Sequence, residues 1–251
     1  MKVKHLKKMK LINSSLLILG IVTCLFSGRL FAYDEAQAIK LPEGQTQQPK
    51  TSPRTYVDKK DPYLMIQKVA GKTFKRFADE QQAIQANPNL LKNIVREELM
   101  PYINYKYSAF KVIGKHLKKT TAQERKDFVP AFREYLVTSY AQVFTLYDNQ
   151  PVEFAPAKRF SDKKIVAVNT RVIMQGRDDI DVSFKVRKNR KTHEWKAFDM
   201  VAEGVSLLDS KQAELGGVIR QKGLPYVTEL LKKKSERDIV FKNKPSKNDA
   251  G

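Results

Sequence analysis

Beyond its N-terminal segment the chain has two histidines, His116 and His193, and neither has a second histidine or a cysteine at ligand spacing. A zinc site needs three or four nitrogen, sulfur or oxygen donors around one point, so neither reads as a metal ligand. His116 sits among Lys115, Lys118 and Lys119 and reads as a solvated helix-end residue, while His193 falls in a polar turn. Asp178-Asp179-x-Asp181 offers carboxylates for calcium but lacks the glycine and distal glutamate of a full EF-hand loop, and reads as a charged hairpin turn. Glu97 and Glu98 are adjacent on an expected helix, where neighbouring side chains diverge, so they make a poor acid–base pair. Nucleophilic catalysis needs a base beside the nucleophile and a group that orients that base. The sequence has no Gly-x-Ser-x-Gly and no glycine-rich phosphate loop, and its single cysteine, Cys24, lies near the N-terminus. These residues point away from an enzyme and supply no site for a metal or cofactor.

Binding is better provided for. Tyr102, Tyr105, Tyr107, Phe110, Phe128, Phe132, Tyr135, Tyr140, Phe144 and Tyr147 crowd the middle of the chain. At helical spacing such a stripe reads first as core. It also has what a roomy apolar site requires, with rings for walls and phenolic hydroxyls for a wet rim. The net charge is +20, which suits either an anionic partner (nucleic acid, anionic lipid head groups or an acidic protein face) or a surface charged only for solubility.

The N-terminus bears on that choice. Met1 to Lys10 holds five lysines and no acid, Leu11 to Phe26 is apolar, and small Ala32 precedes polar Tyr33-Asp34-Glu35. That is the pattern of a secretory signal peptide cut near Ala32. Thr23 is large for the residue before a lipidated cysteine, and apolar residues continue past Cys24, so lipidation there is not expected. Loss of residues 1–32 removes six basic side chains and no acid, leaving a net charge of about +14 and no cysteine for a disulfide. Export disfavours nucleic acid as the partner.

The elements that would position a site follow from periodicity. Residues 33–60 are rich in proline and polar residues and read as a flexible leader; residues 236–251 read as a disordered basic tail; 61–235 is the expected folded domain. In Pro62 to Glu80, Ile66, Val69, Thr73, Phe74 and Phe77 form one apolar face behind an Asp61-Pro62 start. Asn87-Pro88 starts a second helix that buries Leu91, Ile94, Val95 and Leu99 and stops near Pro101. Tyr102 to Leu117 is a third, shorter segment. Thr121 and Glu124 have capping-box spacing ahead of a helix running to about Tyr147, which Pro130 should kink or restart.

The period then changes to two. Val166, Val168, Thr170, Val172 and Met174 share one face of a strand. Ile180, Val182, Phe184 and Val186 alternate on the next strand, Glu194 to Ala202 makes a third, and Val152 to Ala155 an additional one. Gly204 should end the sheet. Asp209 should cap a closing helical region over Ser210 to Lys234, interrupted at Gly216-Gly217 and Gly223. The fold class is therefore α+β: a twisted antiparallel sheet of about four strands against a helical layer, whose apolar strand face is either ordinary core, the commoner case, or the wall of an apolar cavity between them.

Several stretches in order resemble one family: Asp61-Pro62-Tyr63 with Lys72-Thr73-Phe74, Leu99-Met100-Pro101-Tyr102, Thr121-x-x-Glu124-Arg125, Phe132-Arg133-Glu134-Tyr135-Leu136 and Ala202-Glu203-Gly204-Val205-Ser206. Over about Asp61 to Lys234 the chain resembles the MlaC, or toluene-tolerance, family, the soluble periplasmic component that maintains outer-membrane lipid asymmetry in Gram-negative bacteria. Pro130 departs from the family pattern. The resemblance implies a glycerophospholipid cargo with acyl chains in a pocket between sheet and helices and the head group outside. It also implies two partners, an outer-membrane lipoprotein–porin complex and an inner-membrane complex of an MCE protein with an ABC transporter, and no catalytic residues. On that reading Val168, Val172, Met174, Val182, Phe184, Phe198 and Val205 line the tail pocket from the sheet, Tyr105 and Tyr135 line it from the helices, and Arg125 and Arg177 stand near the mouth. Gly204, Gly216-Gly217 and Gly223 are candidate hinges, and the carrier is expected to act as a monomer. The competing readings are a ligand-free periplasmic adaptor with a filled core, a pocket enzyme on a cone-shaped helix–sheet fold, and an RNA binder, which suits the charge but not the signal peptide.

Overall fold

A computed structural model describes residues 56–241. The expected signal peptide, most of the leader and residues 242–251 lie outside the described residues. Among the described residues no helix is long and apolar enough to cross a membrane.

The first helix, α1 (Pro62–Asp79), begins where the sequence dictates. Asp61 is extended, and its carboxylate accepts from the amides of Tyr63 and Leu64 at 2.8 and 3.0 Å, while Pro62 fills a position that needs no donor. Its buried face is Met65, Ile66, Val69, Thr73 and Phe77. Two short helices follow, α2 (Gln81–Ala86) and α3 (Leu90–Ile94), and the chain then widens into a π turn over Val95–Leu99 before a 3-10 turn at Met100–Tyr102. At this turn Glu97 and Glu98 do not diverge: both meet the same Arg76 nitrogen, at 2.7 and 3.1 Å, and Lys72 reaches Glu98 at 2.9 Å. Burial opposes the charge on Arg76, but its hydrogen bonds to Glu80 and Glu97 outweigh that cost and hold the guanidinium above its ordinary value. The pair is an ion-paired staple between α1 and the π turn.

Helix α4 (Tyr105–Ile113) is capped by Asn104 and leads into a 3-10 turn, Gly114–Lys119. Helix α5 (Ala122–Phe144) opens on the expected capping box, Thr121 with Glu124. Pro130 does not restart it. The proline and Lys126, whose carbonyl would have accepted its amide, are both exposed, so water can take that carbonyl and the helix runs on.

The sheet is an antiparallel meander in the order β1 (Val152–Phe154), β2 (Ile165–Val172), β3 (Ile180–Lys188), β4 (Trp195–Ala202), β5 (Val205–Ser206), one strand more than expected. Gly204 is not the end of the sheet. With Glu203 at φ 48° and Gly204 at φ 79° it forms a tight turn into the two-residue β5. A bulge shifts register at Lys185/Val186, and Phe198 is the extra residue of β4. The outer edge of β4 is covered where β5 stops short: Ile103 bridges Ala197, the Asn104 amide donates to the Ala197 carbonyl at 2.7 Å, and Ser108 Oγ donates to the Phe198 carbonyl at 2.6 Å.

The closing helix α6 (Leu207–Ser235) starts earlier than Asp209. Ser206 is the cap and accepts from the Asp209 amide at 3.0 Å. The serine is held by Asp199, whose carboxylate takes Ser206 Oγ at 2.8 Å, the Leu208 amide at 3.0 Å and Lys185 at 2.9 Å. Gly216 and Gly217 are helical, and the break is at Gly223 alone (φ 81°, ψ 168°), two residues ahead of Pro225. The chain turns there. Lys234 of the second arm comes close enough to Glu214 and Lys211 of the first for their charges to act on it.

Two cores result. One joins α4, α5 and α6 through Phe128, Phe132, Leu215, Ile219, Leu224 and Leu231. The other joins α1, α3 and α5 through Phe77, Ile94, Val95 and Val137 and includes Ile239. The packed region therefore runs past residue 235. Ile239 is 2% exposed, its amide donates to Asn89, and Lys92 donates to the carbonyls of Ser235 and Arg237. The leader likewise ends earlier: the Lys59 carbonyl accepts from the Trp195 amide at 2.8 Å, and Lys60 reaches the Thr192 carbonyl. In both places an apolar or backbone group finds a partner that a polar composition does not reveal.

Candidate functional site

Cross-strand partners point to the same side of a sheet, so the register lays out the inner face in rows. Val166 pairs with Val186 and Val168 with Phe184, which pairs in turn with Met200. Phe154 pairs with Thr170, Thr170 with Val182, Val182 with Ala202 and Ala202 with Val205; Val152 pairs with Val172 and Val172 with Ile180. The opposite face carries the exposed Asn169, Arg171 and Asp181 and the half-buried Ser183 and Lys185, and it is wet except at β4, where Lys185 pairs with the buried Asp199.

Along the inner face burial falls away. Val166, Val168, Val186 and Trp195 are buried. Here α1 packs on β2, and Phe160 stands edge-on to Trp195 at 6.0 Å and against Tyr63 at 5.9 Å. Further toward the β2–β3 hairpin, Val172, Met174, Ile180, Val182, Phe184, Met200 and Ala202 are only half-buried, as are Val152 and Phe154. At the edge strand Val205 is 43% exposed. This half-covered apolar strip is the candidate site.

The expected site residues divide on this geometry. Val172, Met174, Val182 and Phe184 lie on the strip; Val168 shares its face but is sealed in the core; Val205 is on its outer rim. Phe198 is removed from the rows by the bulge and packs into the α4–α5–α6 core, edge-on to Tyr107 at 5.1 Å. Tyr135 belongs to that same core and Tyr105 to the other, under the guanidinium of Arg133 at 5.8 Å. Arg125 donates to the Leu117 and Thr120 carbonyls and to Thr120 Oγ1, tying the 3-10 turn to α5, and Arg177 is exposed in the β2–β3 hairpin. Val152, Phe154, Ile180, Met200 and Ala202 join the strip without having been singled out. Alternation alone could have found Ile180; the pairing of β1 and the register past the bulge were needed for the rest.

Two clefts open elsewhere, and neither is the expected cavity between sheet and helices. One, of about 520 Å³, lies between the Gly114–Lys119 turn and the first arm of α6 and is lined by Lys115, His116, Asp209, Gln212, Gly216, Gly217 and Arg220, with Val112 and Ile113 behind. The other, of about 500 Å³, is lined by Phe77, Ile84, Leu91, Phe144, Tyr147 and Phe241 with a polar rim.

The helical layer also holds a buried polar cluster. Lys211 pairs with Glu214 at 2.8 Å and lies 5.7 Å from the Tyr135 ring centroid. Glu214 Oε1 is buried without a hydrogen-bond partner among the described residues. Burial pushes the Lys234 ammonium down to about 8, against the pull of Glu214. Burial likewise pushes the Tyr140 phenol up to about 12. The carboxylates expected in the hairpin are used locally: Asp179 accepts from the Met174 amide at 3.0 Å and Asp181 pairs with Arg171 at 3.1 Å. Among the described residues no three His, Cys, Asp or Glu side chains are grouped so as to hold a metal ion.

The chain was compared with known proteins. A profile of the MlaC protein family matches residues 67–233. The intermembrane phospholipid transport system binding protein MlaC of Haemophilus influenzae is 33% identical over 189 residues, which is 75% of this chain and 88% of that protein. A phospholipid-binding protein from Ralstonia solanacearum, solved in complex with a phospholipid, has the same fold at a TM-score of 0.61 and 17% identity, covering 71% of this chain and 97% of that one. The profile spans nearly the whole folded region and the Haemophilus relative aligns over most of its own length, so the chain belongs to the MlaC family.

Proposed function

We propose that this chain is a periplasmic phospholipid carrier that holds a glycerophospholipid by its acyl chains against the inner face of the sheet, with the head group outside. It passes that lipid between an outer-membrane lipoprotein–porin complex and an inner-membrane complex of an MCE protein with an ABC transporter, and so maintains outer-membrane lipid asymmetry. The observation that carries this reading is the apolar strip from Val172 to Met200, which the helical layer leaves half-covered. A strip of that kind is a wall awaiting apolar contact rather than a finished core. The Haemophilus relative is named for intermembrane phospholipid transport, and the Ralstonia neighbour was solved with phospholipid, which supports the choice of cargo.

The energetics suit a carrier. A buried methylene is worth ~0.8 kcal/mol, so a sixteen-carbon chain gains roughly 10 kcal/mol and holds lipid stably in water. Release at a useful rate then requires a partner that favours an open form, which acts by shifting a population between closed and open states. The Gly223 turn between the two arms of α6 is the hinge best suited to that motion. Such a cycle moves cargo without making or breaking a covalent bond.

Native mass spectrometry of the protein purified without detergent, followed by denaturation and identification of what is released, tests the reading. A stoichiometric phospholipid adduct supports it. A clean protein mass that stays clean after incubation with phospholipid vesicles would overturn it in favour of a ligand-free adaptor on the same fold.

A further inference from the structure

The 3-10 turn Gly114–Lys119 has an unusual charge environment. Lys115, Lys118 and Lys119 on the turn, Lys111 one turn earlier on α4 and Arg220 on α6 make no ion pair among the described residues. His116 and Arg220 both line the 520 Å³ cleft, and Asp209 is the one acid in its lining. Leu117 is held out between these cations at 36% exposure. That exposure does not come from looseness. Arg125 spends its guanidinium on the Leu117 and Thr120 carbonyls, and Thr120 Oγ1 donates to the Leu117 carbonyl at 2.9 Å. On the far side Gln212 closes on Gly114, where an added Cβ would lie 2.1 Å from Gln212 Nε2. The turn is thus fixed from α5 and from α6, and its lysines and leucine are presented on a rigid base.

We propose that this turn and the adjoining cleft form a docking surface for an anionic phospholipid bilayer, separate from the apolar strip of the sheet. Uncompensated cations clustered on one surface are relieved by anionic phosphates. A single leucine flanked by lysines suits an interface that has phosphates at its surface and acyl chains just below, because the lysine stems lie along the apolar layer while their ammonium groups stay among the head groups. The core of a protein interface is depleted in lysine and enriched in aromatic residues, whereas this turn offers three lysines around one leucine. The cleft volume falls within the range of small-ligand sites and admits a single head group. The inference does not depend on what the strip of the sheet carries.

Leu117→Trp in the full chain gives a local readout, since the native tryptophan, Trp195, is fully buried and contributes a constant background. With vesicles containing about one third phosphatidylglycerol and brominated acyl chains, the added tryptophan should shift to the blue and be quenched. With purely phosphatidylcholine vesicles of the same bromination it should do neither. Quenching should vanish once vesicles are pelleted, whereas a lipid taken up by the protein would leave with it. Each lysine near such a surface is worth about fivefold in affinity, so the triple variant K115Q/K118Q/K119Q should bind roughly 100-fold more weakly at low salt. Its unfolding midpoint and its load of co-purified lipid should be unchanged. Absence of quenching on anionic vesicles, equal quenching on neutral ones, or a triple variant that binds like the parent would each overturn the docking surface. None of those results would touch the carrier reading, which the adduct mass tests.

Discussion

Gly223 is the position where the backbone demands what glycine alone supplies, and its substitution has a sign that discriminates between two structures of α6. At φ 81° and ψ 168° the residue occupies a region open essentially to glycine alone. An alanine Cβ there would meet Pro225 Cδ at 3.6 Å, an ordinary contact, so the cost of Gly223→Ala is torsional rather than steric. That cost is ~1–3 kcal/mol. Gly217 in the first arm is helical, and an added Cβ meets nothing within 4 Å. Gly217→Ala should therefore gain about 0.5–1 kcal/mol, since alanine loses less chain entropy on entering a helix. Guanidinium unfolding followed by circular dichroism, with slopes compared to ensure that the denatured states match, measures both. In a domain of this size the Gly223 variant should melt about 2–10 °C lower. Were α6 a continuous helix, both substitutions would stabilise it. A Gly223→Ala variant as stable as the parent, or more so, would therefore refute the fold-back of the second arm and with it the proposed hinge.

Other substitutions address the site and the buried charges. Phe184→Asp or Val172→Asp sets a carboxylate on a half-buried apolar strip; the protein should fold but lose its co-purified phospholipid, and a folded variant with normal load by mass spectrometry would remove that residue from the strip. Lys234 is pushed down to about 8 by burial, so between about pH 8 and the ordinary lysine value near 10.5 the unfolded chain binds the extra proton and stability rises with pH. Lys234→Met should be more stable than the parent at neutral pH and should lose that part of the rise, as read from unfolding midpoints at about pH 7 and pH 9.5. Asp199→Ala strips Ser206 Oγ and the Leu208 amide of their acceptor, while Lys185, about one third exposed, can turn to water; the loss should be about 2–3 kcal/mol, and a change under about 1 kcal/mol would show that the cap of α6 stands without it.

What could be read from the sequence was what neighbouring residues decide among themselves. Asp61-Pro62 and Thr121 with Glu124 cap helices by bonds within four residues, and the alternation from Val166 to Val172 sorts itself into wet and dry faces in either a free or a packed strand. The misplaced features depend on distant chain. Ser206 takes the cap from Asp209 because Asp199, on another strand, orients it. The helix tolerates Gly216 and Gly217, and breaks at Gly223, where Pro225 follows and the second arm finds Phe128, Phe132 and Leu215 to pack on. In the site, Val172, Val182 and Phe184 were legible as one face. The bulge that withdraws Phe198 and brings Met200 into line is set by the pairing of β3 with β4, which periodicity in β4 alone does not encode. Arg125 was marked by its place in a recurring stretch, but its donors are taken up by the Leu117 and Thr120 carbonyls.

The outline of the sheet has a consequence for life in a crowded compartment. A meander that keeps an apolar face half-open is at risk of adding strands from its neighbours, because two unpaired edges and a sticky surface make a template for polymerisation. Here one edge strand, β1, is three residues long and the other, β5, is two, and the stretch of β4 that β5 leaves bare is shielded by Ile103 and by the start of α4. On the β5 side no run is left long enough for a foreign strand to zip onto, and on the β1 side the pairing of Val152–Phe154 with Thr170–Val172 covers the end of β2 next to the open strip. The face can stay greasy because these rims are blunt, and the chain's net positive charge adds repulsion between copies.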